Sequence, residues 1–458
     1  MDNKSLLLKE NHFQLLKTDF YQLSMVVAYI LLDQADEIAG FEAFYRKVNP
    51  KINPNDDFYI FGGNYKVKTL IKDVRKELEN PNLLEIFLDL VKPKFPKNRV
   101  AEYERRIREK WNYLNKDFEV IYYPLGAMLR PFVPAFQYRG PKWIGQLLET
   151  PILNAINGST GLATKFYLEP YNKKLTNLQS LVDGKSFSSS VSDLLPTYRD
   201  HLVERAKEYR NSTSKILFEA GFRRAAGYEA ALMASTVAIN EGWNGTSNTS
   251  TAFDTVLGLD ILGGTMAHSF VMGQESEIEA YKLWNDIWPN STFLVDTYNV
   301  KAAINMLILN NIKPTVIRID SEPLDEYAIA VRKQLNKVGW QDVKIFISGD
   351  LTPERLKDFE ERNIPFDMCM AGTAYVNIFG SETINAGFVY KLVEIEKEDG
   401  ITLYPEKASC GKGNLPGLKF MNYNPNTEVI LITNKNNYFG YWQLTAHSKI
   451  KDVVWEIK

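Results

Sequence analysis

The chain has 458 residues, 45% of them hydrophobic, a formal net charge of -2 and two cysteines. That length exceeds one ordinary small domain and suggests two or three, one large barrel included. The near-neutral charge excludes a global field that would gather nucleic acid or an anionic membrane, so any anionic substrate must be held by local Lys, Arg and backbone N–H groups.

Cys369 and Cys410 are far apart and match no metal-ligand spacing, which indicates a reducing compartment and no zinc site. The opening MDNKSLLLKENHF is too short in apolar residues for a signal segment, and no run approaches the roughly 18 residues of a membrane span. The expected location is the cytoplasm.

From the N-terminus, Thr18-Asp19-Phe20-Tyr21-Gln22 open an apolar helix with Leu23, Val26, Val27 and Ile30, and Thr18 or Asp19 suits its N-cap. FEAFYRKVNP (41–50) alternates like a strand and ends in Arg46 and Lys47; FYIFGG (58–63) reads as a strand and tight turn. Residues 65–116 are mixed-charge helices, with Val67, Leu70, Ile71, Val74 and Leu78 on one face and a solvated opposite face. A Pro- and aromatic-rich β region over 120–140 marks a domain boundary. A helix over 144–156, a Ser-rich excursion over 176–192 and a helix through Leu195, Tyr198, Leu202, Ala206 and Tyr209 follow.

KILFEAG (215–221) then precedes Arg223, Arg224 and an Ala-rich helix to about Asn240; WNGTSN (243–248) ends in small polar residues, and GGTMAHS (263–269) carries a histidine. Between Phe293 and Thr373, FLVD, TVIRID, VKIFIS and FDMCM alternate with amphipathic helices. One helix carries Leu324, Ala328, Val331, Leu335 and Val338, and another has Thr352 as N-cap before Pro353. Near-continuous apolar strands separated in this way indicate buried parallel strands in βα units. The expected fold is α/β: an irregular TIM-like barrel over 120–388, beside a smaller α/β domain built from 1–119 and completed by the 389–458 segment.

Polar residues gather where these strands end: Asp296, then Arg318 and Asp320, then Ser348-Gly349-Asp350, then Gly372-Thr373. In parallel α/β folds that rim is where ligands bind. Each alone is equally a turn residue or cap; four strands delivering charge and glycine to one rim favour a site. Of the four histidines, His12 and His201 lie in polar segments and His447 near the C-terminus. His268 differs, because Gly263, Gly264, Thr265 and Ala267 let other groups approach it. A solitary His is more often structural than catalytic, but Asp296 on the next strand could fix its tautomer and leave one ring nitrogen nucleophilic.

The pattern as a whole resembles nicotinate phosphoribosyltransferase, of the type II phosphoribosyltransferase superfamily, over almost the whole chain. The residues that carry it are TDFYQLSM, FEAFYR, QLLET with Asn154 and Ala163-Thr164-Lys165, EAGFRRA, GTSN, GTMAHS, LVDTY, RIDS, SGDL, Gly372-Thr373, YKLVE and EKASCGKGNLPGLK, in family order. The chain departs from the family pattern at Glu322-Pro323, where a glycine and an aspartate are usual, and at Ala220, where a second stacking aromatic is common, with Phe222 two residues on.

The resemblance implies ATP-assisted condensation of nicotinate with phosphoribosyl pyrophosphate to nicotinate mononucleotide and pyrophosphate. It makes His268 the transiently phosphorylated residue, with Asp296 orienting it and Asp320 meeting the ribose hydroxyls. It assigns the ribose 5-phosphate to Ser348, Gly349, Asp350, Gly372 and Thr373, where glycines let backbone N–H groups approach phosphate oxygens. Tyr21, Arg223, Ser247 and Arg318 fall to the pyridine, and Arg46, Lys391, Lys407 and Lys412 to the pyrophosphate side. Mg²⁺ is expected mainly on substrate phosphates, and a homodimer is implied.

Ser247 stands where nicotinamide-using relatives carry aspartate; a hydroxyl donates to a carboxylate that an aspartate would repel, so nicotinate is favoured and Ser247→Asp should shift preference toward nicotinamide. A phosphoribosyltransferase for nicotinamide or another pyridine, and a catalytically silent phosphoribosyl-binding homologue, are the alternatives.

Overall fold

The computed structural model describes residues 13–168, 187–255, 257–377, 384–397, 399–406, 413–424, 429–433 and 439–443. His12, Lys407, Cys410, Lys412, His447 and the Ser-rich stretch up to 186 lie outside the described residues. In chain order the strands are β1 (Ile38–Phe44), β2 (Tyr59–Ile60), β3 (Glu119–Tyr122), β4 (Met128–Leu129), β5 (Phe136–Pro141), β6 (Ile216–Glu219), β7 (Gly245–Thr246) and β8 (Thr292–Leu294). They continue as β9 (Val316–Ile319), β10 (Lys344–Ile347), β11 (Met368–Ala371), β12 (Val389–Glu396), β13 (Thr402–Leu403), β14 (Phe420–Asn424), β15 (Val429–Thr433) and β16 (Phe439–Gln443).

Two sheets carry the architecture. The first is antiparallel, in the order β13-β12-β1-β5-β3. Its core is aromatic: Phe41 stacks on Tyr390 with ring centroids 5.1 Å apart and meets Tyr138 edge-on at 6.1 Å. The second is parallel throughout, in the order β7-β6-β11-β10-β9-β8, an incomplete barrel. All four residues of β9 are buried, as a strand covered on both faces requires.

The fold is thus α/β with a parallel half-barrel and a second sheet. One boundary differs from the sequence expectation. β3 and β5 follow Val120 yet pair with β1, so the parallel sheet begins only at Ile216. The reason is long-range register, Phe41 opposite Tyr138 and Val120 opposite Tyr138, which local composition cannot reveal.

The helices between the parallel strands bury the faces their spacing dictates. Leu324, Ala328, Val331 and Leu335 are buried, but Val338 falls at the C-cap and is exposed. Thr352 accepts a hydrogen bond from Arg355 N at 3.3 Å, the capping its position suggested. Asn299 caps the helix Val300–Leu309 in the same way, accepting from Ala302 N at 3.0 Å. In the mixed-charge region Val67, Leu70, Ile71, Val74 and Leu78 are buried. Charges on the outer face pair locally, as Arg105 does with Glu109 at 2.8 Å. Among the described residues no helix is long and apolar enough to cross a membrane.

Candidate active site

Because β8 to β11 run parallel and adjacent, their C-terminal ends open on one mouth, and the polar residues after them meet there. His268 begins the short helix His268–Met272, after Ala267 in extended backbone. Its Nε2 lies 3.9 Å from Asp296 Oδ2 and 3.8 Å from Asp320 Oδ2. Its Nδ1 meets Thr297 Oγ1 at 3.1 Å. The expected arrangement, one ring nitrogen held by the Asp296 carboxylate, is therefore modified. A hydroxyl from the next residue holds Nδ1, while Asp296 accepts from the Ser321 hydroxyl and faces Nε2 beyond hydrogen-bond length. Ligand atoms of His268, Asp296 and Asp320 lie within 4.8 Å of one another, a donor set that could hold a cation.

The next strand ends brace Asp320. Ser348 Oγ donates to Asp320 Oδ1 at 2.7 Å, and Ser348 N to Ile319 O at 2.9 Å. Gly349 has φ +106°, a left-handed conformation, and a Cβ there would stand 3.0 Å from the Asp320 carbonyl oxygen. At Gly372 a Cβ would come within 2.8 Å of Ala220 O. Both glycines are required by close backbone approach. Glu322, the unusual carboxylate beside Asp320, is taken by Arg355 in a two-point ion pair of 2.5 and 2.6 Å. Its charge is thereby directed to the helix Pro353–Glu361.

Across the mouth, the turn Phe222–Arg224 is held from below by Asn154 Nδ2 on Phe222 O and Asn157 Nδ2 on Arg223 O, both at 3.0 Å. This aims Arg223 at Tyr21, whose hydroxyl accepts from Nη1 and whose ring centroid lies 5.8 Å from the guanidinium carbon. Glu149 Oε1 stands 3.6 Å from the same guanidinium. Arg318 donates to Thr265 Oγ1 at 2.9 Å; burial lowers its pKa, with Asp320 and Asp296 opposing. Phe222, the aromatic nearest the Ala220 departure, is buried with its ring 6.1 Å from Tyr228.

Two expectations are corrected here. Asp19 sits at the N-cap of the helix Phe20–Leu31 but makes no side-chain cap. Its carboxylate instead accepts from Ser247 Oγ at 2.5 Å and Thr150 Oγ1 at 2.6 Å. The Ser247 hydroxyl thus donates inward, whereas the sequence suggested a donor to the substrate; a hydroxyl has one proton to give.

On the basic side, Arg46 Nε donates to Gly413 O at 2.8 Å. Lys391 lies on β12 opposite Glu42. Arg224, which the sequence reading did not place in the site, is half-buried and donates to Phe388 O. Its pKa is lowered to about 10 by loss of water around the guanidinium and then by Arg223, with Asp350 opposing. His201 is exposed on the helix Phe187–Ser212.

No family model matches the chain. It is 27% identical over 414 residues to a nicotinate phosphoribosyltransferase of Mycobacterium tuberculosis, covering 89% of this chain and 75% of that one. It is 24% identical over 436 residues to that of Bacillus subtilis, covering 92% and 74%. The chain is a homologue of the nicotinate phosphoribosyltransferases. A nicotinate phosphoribosyltransferase structure from Porphyromonas gingivalis matches its fold with a TM-score of 0.60 at 17% identity, over 87% of this chain and 95% of that one. A putative nicotinate phosphoribosyltransferase from Saccharomyces cerevisiae matches at 0.58, also 17% identical, over 87% and 94%. LVDTY, RIDS and SGDL each stand at the end of a parallel strand, as the alternation of apolar runs and helices led one to expect.

Proposed function

We propose that the chain condenses nicotinate with phosphoribosyl pyrophosphate, yielding nicotinate mononucleotide and pyrophosphate, with ATP hydrolysis coupled through transient phosphorylation of His268. The observation that carries this reading is the convergence of His268, Asp296 and Asp320 from three chain segments.

The pyridine nitrogen forms the new bond at the anomeric carbon as pyrophosphate leaves with its electron pair. Such a step needs positioning and charge stabilisation more than a strong base. Asp320, fixed by Ser348, is set to meet the ribose hydroxyls. Gly349, Asp350, Gly372 and Thr373 offer backbone N–H groups to the 5-phosphate, and Tyr21, Arg223 and Arg318 surround the pyridine. Arg46 and Lys391, with Lys407 and Lys412, serve the pyrophosphate side. In the tautomer whose Nδ1–H donates to Thr297 Oγ1, the pair being 3.1 Å apart, Nε2 is the nucleophile for the γ-phosphate of ATP.

Mg²⁺ would arrive on the substrate phosphates, with the carboxylates of Asp296 and Asp320 as hard oxygen donors nearby; it would neutralise phosphate charge. A cytoplasmic homodimer is the expected form.

The test is incubation with nicotinate, phosphoribosyl pyrophosphate and γ-labelled ATP. Nicotinate mononucleotide and an acid-labile phosphohistidine, absent in His268→Ala, are expected. A protein that forms neither is a silent homologue.

A further inference from the structure

Asp19 is 1% exposed, and both of its oxygens face hydroxyls: Oδ1 takes Ser247 Oγ at 2.5 Å and Oδ2 takes Thr150 Oγ1 at 2.6 Å. The three residues come from different parts of the chain and are locked together by backbone as well. Phe20 N donates to Ser247 O at 2.6 Å, and Asp19 bridges Asn248. The hydroxyl of Ser247 therefore cannot turn independently of Asp19. While Asp19 is a carboxylate, the Ser247 proton points to it, and what Ser247 offers elsewhere is an oxygen lone pair. An outward lone pair suits the N–H of an amide and opposes a second carboxylate.

We infer that Asp19 is the specificity-setting residue of the pyridine pocket, and that nicotinate binds with uptake of one proton at Asp19, which reverses the Ser247 hydroxyl. This rests on the reading that Ser247 faces the pyridine substituent. The proton comes from solvent to Asp19 Oδ1; Oδ1–H then donates to Ser247 Oγ, and the Ser247 proton turns to the substrate carboxylate. Thr150 continues to donate to Oδ2, so no hydrogen bond is lost inside the cluster. Nicotinamide needs no such step, because its amide N–H meets the Ser247 oxygen as it stands.

The charges facing Asp19 agree with this exchange. Burial raises its pKa; Arg223 opposes that, as do the Ser247 and Thr150 hydroxyls, while Glu149 adds to it. Glu219, at the end of β6, and Tyr21 also lie within its electrostatic reach. An incoming carboxylate adds a negative charge to this group and offsets Arg223, both of which favour protonation. Asp19→Asn reproduces the protonated state: its oxygen accepts from Thr150 and its amide donates to Ser247.

The test is calorimetric titration of nicotinate into the full chain at pH 8, in buffers of different ionisation enthalpy. The dependence of heat on buffer gives the protons taken up. About one is expected for the native chain, near zero for Asp19→Asn, and near zero for nicotinamide with either. Nicotinate binding without proton uptake in the native chain, or equal uptake in Asp19→Asn, overturns this inference and leaves the proposed activity standing. No nicotinate binding overturns both. The native measurement decides alone if Asp19→Asn does not fold.

Discussion

Ser348 donates its hydroxyl proton to Asp320 across 2.7 Å, tying the ends of the neighbouring parallel strands β10 and β9. Asp320 in turn faces His268 Nε2 at 3.8 Å, so the orientation of one carboxylate links the imidazole to the glycine turn at 349. Removing the hydroxyl deletes this hydrogen bond, while the backbone bond from Ser348 N to Ile319 O stays. Ser348→Ala should lower kcat/KM for phosphoribosyl transfer roughly tenfold, the equivalent of about 1.4 kcal/mol. Steady-state kinetics beside a melting curve check this; a large drop in Tm with normal kinetics would assign Ser348 to stability alone.

Ser247→Asp by itself should not simply exchange one pyridine for another. It would place a second carboxylate against Asp19, whose oxygen already stands 2.5 Å from the Ser247 hydroxyl. Two carboxyls at that distance share a proton, and one of them titrates well above its ordinary range. Ser247→Asp should lose nicotinate turnover by about a hundredfold at pH 8 and regain part of it at pH 6. Asp19→Asn with Ser247→Asp should prefer nicotinamide, as read from paired kcat/KM values for both bases.

Glu42 and Lys419 form a buried ion pair of 2.6 Å, 0% and 3% exposed at their side chains. Gln137 bridges them, donating to Glu42 Oε1 and to Lys419 O at 2.8 Å each. The pair fastens the segment that follows the basic loop onto β1. Lys419→Met should destabilise by about 3–5 kcal/mol by leaving a buried charge, while Glu42→Gln with Lys419→Met should recover much of it. Urea denaturation of the two variants is the measurement.

Glu277 gives stability a pH dependence. Burial holds its carboxyl up to about 7; Tyr281 opposes that through a hydroxyl 2.9 Å away, and Asp296 adds to it. The folded chain keeps a proton that the unfolded chain releases above the ordinary value of 4.5. The contribution is therefore fully present below that value and is lost as pH rises through about 7, on the order of 2 kcal/mol. Glu277→Gln should flatten unfolding free energy across that window; an unchanged slope would remove Glu277 from the account.

The mouth itself was legible in the sequence because topology does the work. Once four apolar runs are read as parallel strands, Asp296, Asp320, Ser348–Asp350 and Gly372–Thr373 must share an edge. What the sequence could not show depends on partners far along the chain. Asp19 and Ser247 are 228 positions apart, and nothing near either hints that a residue suited to capping would turn to the other. Thr297 was visible in LVDTY, but choosing it over Asp296 for Nδ1 takes coordinates. Glu322 looked like an intrusion at the ribose until Arg355, 33 residues on, accounted for its charge. The early start assigned to the barrel has the same cause, since β3 and β5 are claimed by β1 through non-local register.

The most direct measurement is nicotinate mononucleotide formation by the native chain and by Asp320→Asn, with nicotinate, phosphoribosyl pyrophosphate, Mg²⁺ and ATP. The account predicts turnover by the native chain and a loss of at least about a hundredfold in kcat/KM in the variant, at unchanged Tm. An inactive native chain, or a variant as active as native, would contradict it.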